Sequence, residues 1–296
     1  MFTPSPQVAS TPDRNVAAAF ARHTDDIASR WIALARMGQV RTSGRGFSIW
    51  IQLRGTSRVE AREGQFTLAP GEWIALDRDS LPELHADRDG LTLGIVFPPE
   101  AVGSRAEILP GRGRMSIRDL RIATRLWRSG LDAQRGRQSD ASLRALQSVL
   151  AHFATLQRDL DVTLSRCPGR SARRKRQVLG RMQRARLYLE GHCHRVVRLT
   201  ELAELTSFSS WYLSKTYHEV FDESPQAASV RLRLERACAL LAGTDCSISE
   251  VGAACGFDNS CSFARAFRAR YRSTASAYRA QHRARIGEQA RSARAN

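Results

Sequence analysis

Hydrophobic positions along this chain follow a period of two in the first half and a helical period in the second. Between Phe47 and Phe97 lie five short runs, "FSIWIQL", "SRVEA", "QFTLA", "EWIAL" and "LTLGIVF", rich in β-branched and aromatic residues. "RGT", "REG", "APGE" and a polar stretch over 77–90 separate them, so the pattern predicts a small sandwich or barrel. Pro70-Gly71 suits a type II turn, whose third position needs a positive φ that glycine accepts at no steric cost. Upstream, residues 1–15 are Pro-rich and read as a disordered lead-in. Residues 17–37 are Ala-rich and helix-compatible, although "DDIASRWIALARM" can also end in a strand.

From Met115 the spacing becomes helical. Leu143, Leu146, Leu150, Phe153 and Leu160 form a stripe interrupted at Gln157 and widened by Leu156 and Leu164. Such a stripe packs either on its own domain or against a second copy of the chain. "RCPGRSARRKR" breaks helicity at Pro168-Gly169, and residues 166–177 read as a basic inter-domain linker, either solvated or touching phosphates. After Gln177 the chain is helical to about Ala284. The expected fold class is α+β, with an N-terminal small β-barrel domain over 16–114 and a flanking helical dimerisation segment over 115–165. An all-α domain over 178–284 and a disordered tail over 285–296 complete it.

Within the helical half, one stretch is written twice. "RLTELAELTSFSSWYLSKTYHEVF" begins at Arg198, and "SISEVGAACGFDNSCSFARAFRARY" begins at Ser247. Each predicts a short helix, a tight turn closed by Phe208 or Phe257, and a second helix. Ser247 and Glu250 form a capping box, and Gly256 supplies a left-handed corner, where the first copy has Arg198 and Ser207. Leu213 with Tyr217, and Phe263 with Phe267, anchor each second helix four residues apart. The opposite faces then display Ser210, Trp211, Ser214, Lys215 and His218, and Asn259, Ser260, Ser262, Arg265 and Arg268. Donor-rich faces of this kind fit a DNA major groove. Between the copies, "SPQAASVRLRLERACALLAG" predicts one amphipathic helix with Val230, Leu234, Ala237 and Leu241 buried. At about 18 residues it spans roughly 27 Å, a spacer able to hold two reading helices about one DNA turn apart.

Charge sharpens this picture. The net charge is +17, and the last 126 residues hold 22 of the Lys and Arg against 11 of the Asp and Glu. The polyanion-facing part is therefore C-terminal. All six cysteines lie at or after Cys167 with no CxxC, and only His23, His85 and His152 precede residue 166, without an HxH pair. No metal or cofactor is expected, "GHCHR" included, and neither a cupin-type metalloenzyme nor a thiol-based repair protein fits. No GxSxG appears. No apolar run approaches the roughly 18 residues that span a bilayer, and the Pro-rich start has no signal-peptide core. The expected setting is the cytoplasm, at the bacterial nucleoid.

The motifs "LTELAE…FSSWYLSKTY", "RLRLERACALL", "SISEVGAACGFDNSCSFARAFRARY" and "SAYR" resemble those of the AraC/XylS family of bacterial transcription regulators. The resemblance covers about residues 181–281. It implies a tandem helix-turn-helix module that binds double-stranded DNA, with Trp211, Ser214 and Lys215 at base-contacting positions of the first motif. Asn259, Ser260, Cys261 and Arg265 match those of the second. Departures are Ser207 and Arg272 for the family's glycines, Ala228 for an aromatic, and Ala275 for a proline. The N-terminal part is loosely similar to the family's cupin-like sensing domain. That likeness implies a small-molecule effector, homodimer formation through helices after the barrel, and contact with RNA polymerase. Trp50, Trp73 and His85 are the candidate effector contacts, His85 expected in a loop. Phe47, Phe66 and Phe97 share the strand runs, and core packing is the favoured reading of the rings over pocket lining. An effector-independent architectural nucleic-acid binder is the alternative.

Overall fold

The computed structural model describes residues 29–42, 46–98 and 108–284. The expected lead-in over 1–15, the helix-compatible residues before 29, His23 and the tail over 285–296 lie outside them.

Nine strands are formed among the described residues: β1 Arg30–Ala35, β2 Gln39–Arg41, β3 Phe47–Arg54, β4 Ser57–Ala61, β5 Gly64–Leu68, β6 Glu72–Leu76, β7 Glu83–Ala86, β8 Leu91–Phe97 and β9 Gly111–Arg114. The five hydrophobic runs are all strands, and the ambiguous "RWIALA" is strand β1. Strand β7 corrects the reading of 77–90 as a mere separator, and it carries His85. Its alternation, with Leu84 and Ala86 buried, is only four residues long and hidden by polar flanks. Strand β9, "GRGR", has no apolar residue and owes its extended form to pairing with β6 at the sheet edge. The Pro70-Gly71 turn is formed as expected, with Gly71 at φ +82 and the Glu72 N–H donating to the Ala69 carbonyl at 2.9 Å.

The strands make two antiparallel sheets, ordered β1-β8-β3-β6-β9 and β2-β7-β4-β5. They pack across a shared core of Leu34, Trp50, Val59, Phe66, Ile74 and Leu84. The outer face of the five-stranded sheet is covered by helices α1 Ile117–Arg135 and α2 Ser139–Leu156, through Ile49, Ile51, Trp73 and Ile95 against Trp127, Leu150 and Phe153. This sheet is buried on both faces, which is why its strands read as nearly continuous apolar runs.

The stripe from Leu143 to Leu164 is not one helix. Helix α2 stops at Gln157, whose amide accepts the Leu109 N–H at 3.0 Å and donates to the Leu109 carbonyl at 2.8 Å, and α3 Asp159–Arg166 follows. Leu146, Leu150 and Phe153 face the sheet, while Leu160 and Leu164 pack on the C-terminal module. Leu143 is exposed. The buried members of the stripe are thus consumed within the chain, in two directions.

The linker reading over 166–177 is also corrected, because helix α4 Ala172–Gly191 begins inside it, capped by Ser171. Helix α4 belongs to both halves. Leu187 enters the core between the sheets, whereas Val178, Met182, Ala185 and Leu189 pack with the helices that follow. Arg184 donates to the fully buried Glu63 at 2.9 Å, and the Ser80 hydroxyl donates to the same oxygen at 2.9 Å. Beside them Gly64 and Gly191 touch backbone to backbone, where a Cβ on Gly191 would lie 2.3 Å from the Glu63 carbonyl oxygen. The fold is α+β, with the helical module seated on the sheets through α4.

Candidate nucleic-acid interface

The repeated stretch folds into two helix-turn-helix units: α5 Leu199–Thr206 with α6 Ser210–Phe221, and α8 Ile248–Ala254 with α9 Ser260–Tyr271, joined by α7 Pro225–Gly243. Local chemistry starts each one. The Ser247 hydroxyl accepts the Glu250 N–H at 3.2 Å, and the Glu250 carboxylate accepts the Ser247 N–H at 2.7 Å. In the first copy Glu201 accepts the Arg198 N–H at 2.9 Å. Arg195 and Tyr188 also donate to Glu201, at 2.7 and 2.9 Å, and chiefly the Arg195 hydrogen bond holds its carboxyl down to about 2. Helix α6 is capped by Ser209 and α9 by Asn259, whose side-chain oxygen accepts the Ser262 N–H at 2.8 Å.

Both corners are left-handed, with Gly256 at φ +72 and Ser207 at φ +54. Serine holds there a backbone that costs an L-residue about 1–2 kcal/mol, so the first corner is the costlier one, as the sequence implies. A Cβ on Gly252 would come 3.2 Å from the Phe263 ring, so α9 crosses α8 closely at a small residue, glycine here and Ala203 in the first copy. Leu213, Tyr217, Phe263 and Phe267 are all fully buried, as their spacing predicts. Of the row expected on α7, Leu234, Ala237 and Leu241 are buried but Val230 is exposed; Arg233, Ser229 and Ala228 take the inner positions instead.

The repeat extends further than its motifs suggest. "RMQRARLYL" of α4 and "RLERACALL" of α7 align as one pattern, placing Met182, Ala185 and Leu189 opposite Leu234, Ala237 and Leu241, every one of them buried. The leading arginine of each reaches the corner of its own unit. Arg233 stacks on Phe257 at 4.0 Å and donates to the Cys255 and Gly256 carbonyls, both at 2.7 Å. Arg181 stacks on Phe208 at 4.8 Å and donates to the Ser207 carbonyl at 3.5 Å. Sequence reasoning missed both arginines, although the repeated R-hydrophobic-x-R-A pattern was legible. Asp222 and Arg272, at φ +58 and +56, end the two second helices, and Ser224 and Thr274 cap the helices that follow.

With these anchors, Trp211, Lys215 and His218 occupy the same outward positions on α6 as Cys261, Arg265 and Arg268 on α9, and all six are exposed. Trp211 is 70% exposed, with the Lys215 ammonium 5.3 Å from its ring. Lys215 also lies 4.0 Å from Glu219, whereas no ion pair engages Arg265 or Arg268 among the described residues. The face of α9 is thus the more strongly cationic of the two. Ser210 and Ser214 are half-buried, and Ser260 is exposed with its hydroxyl 3.2 Å from Ser249 on α8. Exposed guanidinium forks on a helix face can bind guanine edges or phosphates, and an exposed indole can cover a thymine methyl.

The candidate effector residues are not brought together. Trp50 and Trp73 lie on opposite faces of the same sheet, Trp50 between the sheets and Trp73 edge-on to Phe153 beneath the helices. His85 stands on β7, half-exposed, 3.2 Å from Glu83. Among the described residues no group of His, Cys, Asp and Glu is arranged to hold a metal. No helix there is long and apolar enough to cross a membrane.

Residues 202–281 match a family model described as a helix-turn-helix domain. Over 112 residues the chain is 34% identical to the HTH-type transcriptional regulator CdhR of Pseudomonas aeruginosa, covering 38% of this chain and 31% of that protein. The MmsAB operon regulatory protein of the same organism is 34% identical over 101 residues, 34% of this chain and 32% of its own length. The chain therefore spans about a third of the length of these curated relatives. Among solved structures, the DNA-binding domain of AdpA, in complex with a target DNA, aligns at 26% identity and a TM-score of 0.34, over 35% of this chain and 94% of that one.

Proposed function

We propose that the chain, whose C-terminal module is similar to those of AraC-type helix-turn-helix regulators, is a sequence-specific transcription regulator of the AraC/XylS family, reading two successive major grooves and responding to a small effector. The observation that carries this reading is the pair of matched outward faces, Trp211, Lys215 and His218 against Cys261, Arg265 and Arg268. Helix α7, 19 residues and about 28 Å long, joins the two units, and such a spacer can hold reading helices about one DNA turn of roughly 34 Å apart. The two faces differ in chemistry, so the operator is asymmetric, with an apolar-contacting half and an arginine-read half. Double-stranded DNA is the principal partner; a second copy of the chain and RNA polymerase are further partners of this reading. The α4 seat on the sheets supports effector control, because it ties the first helix-turn-helix unit to the N-terminal domain.

The test is a footprint on operator selected from random DNA, which is expected to span about two helical turns. In this protein Arg265→Ala loses roughly 1–3 kcal/mol at one base position by forfeiting a bidentate guanine contact. Uniform weakening on every sequence would reduce Arg265 to a phosphate contact. Even protection without a defined site would favour an architectural, effector-independent binder.

A further inference from the structure

The space between the two sheets holds a packed apolar core. Trp50 is fully buried there, and a Cβ on Gly94 would fall 2.1 Å from its ring. A cleft of about 860 Å³ instead lies where the sheets meet α4 and the first helix-turn-helix corner. One wall is apolar, made by Phe47, Phe97 and Ile108. The facing wall is the side of α4 carrying Arg173, Arg176 and Arg181.

These three arginines have no carboxylate partner among the described residues. The two acids in the cleft are already committed, Asp77 lying 3.7 Å from Arg184 and Asp79 3.9 Å from Arg78. Like charges three residues apart on one helix repel, so Arg173 and Arg176 raise the energy of the empty site. Gly180, in the middle of α4, forms the floor between them. A mid-helix glycine costs about 1 kcal/mol relative to alanine, and here no close packing requires it: an added Cβ would meet only Leu109, at an ordinary 3.6 Å. Its consequence is open space beneath the arginines. Thr206 and Ser207, the left-handed corner before α6, complete the lining, so an occupant touches the first reading unit directly.

We propose that this cleft binds a small organic anion, its acidic group on Arg176 and Arg181 and its carbon body against Phe47 and Phe97. The inference deepens the effector-responsive reading and rests on it: the effector sits between the domains and acts at the Ser207 corner.

The full-length protein is titrated with phenyl phosphate and phenylacetate, with benzyl alcohol and inorganic phosphate as partial mimics, and followed by thermal shift and calorimetry. At least one aromatic anion is expected to stabilise the protein, and the better of the two distinguishes a phosphate ester from a carboxylate. Arg176→Gln, at a half-buried position lining the cleft, weakens that anion about tenfold by removing one charge-assisted contact. Gly180→Leu, favoured by helix propensity, fills the floor and abolishes binding. No response to either anion, an equal response to inorganic phosphate, or an unchanged response in both variants overturns the proposal. Operator affinity measured on the same samples separates the two readings. Intact site-specific binding with a failed titration removes the cleft and leaves the regulator, whereas loss of site-specific binding removes the regulator itself.

Discussion

Replacing Arg233 by methionine tests how the second reading unit is held. The guanidinium closes the α8–α9 corner from α7 with two 2.7 Å hydrogen bonds to backbone carbonyls and a 4.0 Å stack on Phe257. Arg233 is only 6% exposed, and this burial pulls its pKa below the ordinary guanidinium value. Methionine keeps the apolar stem but leaves the Cys255 and Gly256 carbonyls without the arginine. Charge-assisted hydrogen bonds contribute about 1.5–3 kcal/mol each and a desolvated cation–π contact about 2, and these overlap, so a loss of about 3–5 kcal/mol is expected. Arg181→Met removes one 3.5 Å hydrogen bond and a looser 4.8 Å stack at a half-buried position, for about 0.5–1 kcal/mol. Since domains of this size are stable by only about 5–15 kcal/mol, the first change approaches local unfolding of α8 and α9 and the second does not. Hydrogen exchange resolves this by segment: amides of α8 and α9 exchange far faster in Arg233→Met, while α5 and α6 stay protected. A footprint then keeps only the half read by α6. Equal costs for the two substitutions, or unchanged exchange in α9, would refute the reasoning.

Three further outcomes follow from the same geometry. Ser207→Gly relieves a left-handed corner at φ +54 and should stabilise the first unit by roughly 0.5–1 kcal/mol, seen as a raised denaturation midpoint. Glu201 titrates near 2 when folded, against 4.5 as its ordinary value, so its contribution is present above about pH 4.5 and is lost as pH falls towards 2. Discounted for its exposure, that contribution is about 1–2 kcal/mol, and Glu201→Gln should flatten this part of the acid-unfolding profile. Cys261, exposed on the face of α9, should react with maleimide in free protein and be shielded by operator DNA, whereas Cys246 should react equally in both. Cys167 and Cys255, whose thiols burial pushes up to about 11, should stay inert until unfolding. Unchanged alkylation of Cys261 on saturating operator would remove α9 from the interface.

Much of the interface was legible because its determinants are local. A capping box, a corner glycine and an apolar pair four residues apart act within one turn of helix or one corner, so Ser247, Glu250, Gly256, Phe263 and Phe267 announce their structure from spacing alone. The reading faces then follow by exclusion, opposite the buried rows. The misreadings share the opposite cause. Strand β7, strand β9, the break at Gln157 and the start of α4 at Ala172 each depend on a partner distant in sequence: a neighbouring strand, the Leu109 backbone, or the sheets beneath the helix. Val230 was misplaced because the inner side of α7 turns to admit Arg233, and a buried arginine breaks a hydrophobic row that only its carbonyl partners explain.

Sequence alone settled that two similar helical units of unequal chemistry sit on a basic C-terminal half behind a β-rich domain, since periodicity, capping and charge are written residue by residue. Tertiary structure decided what lies between the halves. Which face of Trp50 and Trp73 meets which core, how Arg184 finds Glu63, and where α4 leaves three arginines across from two phenylalanines are consequences of packing between segments far apart in the chain. No local pattern encodes them, because each exists only after both surfaces have folded.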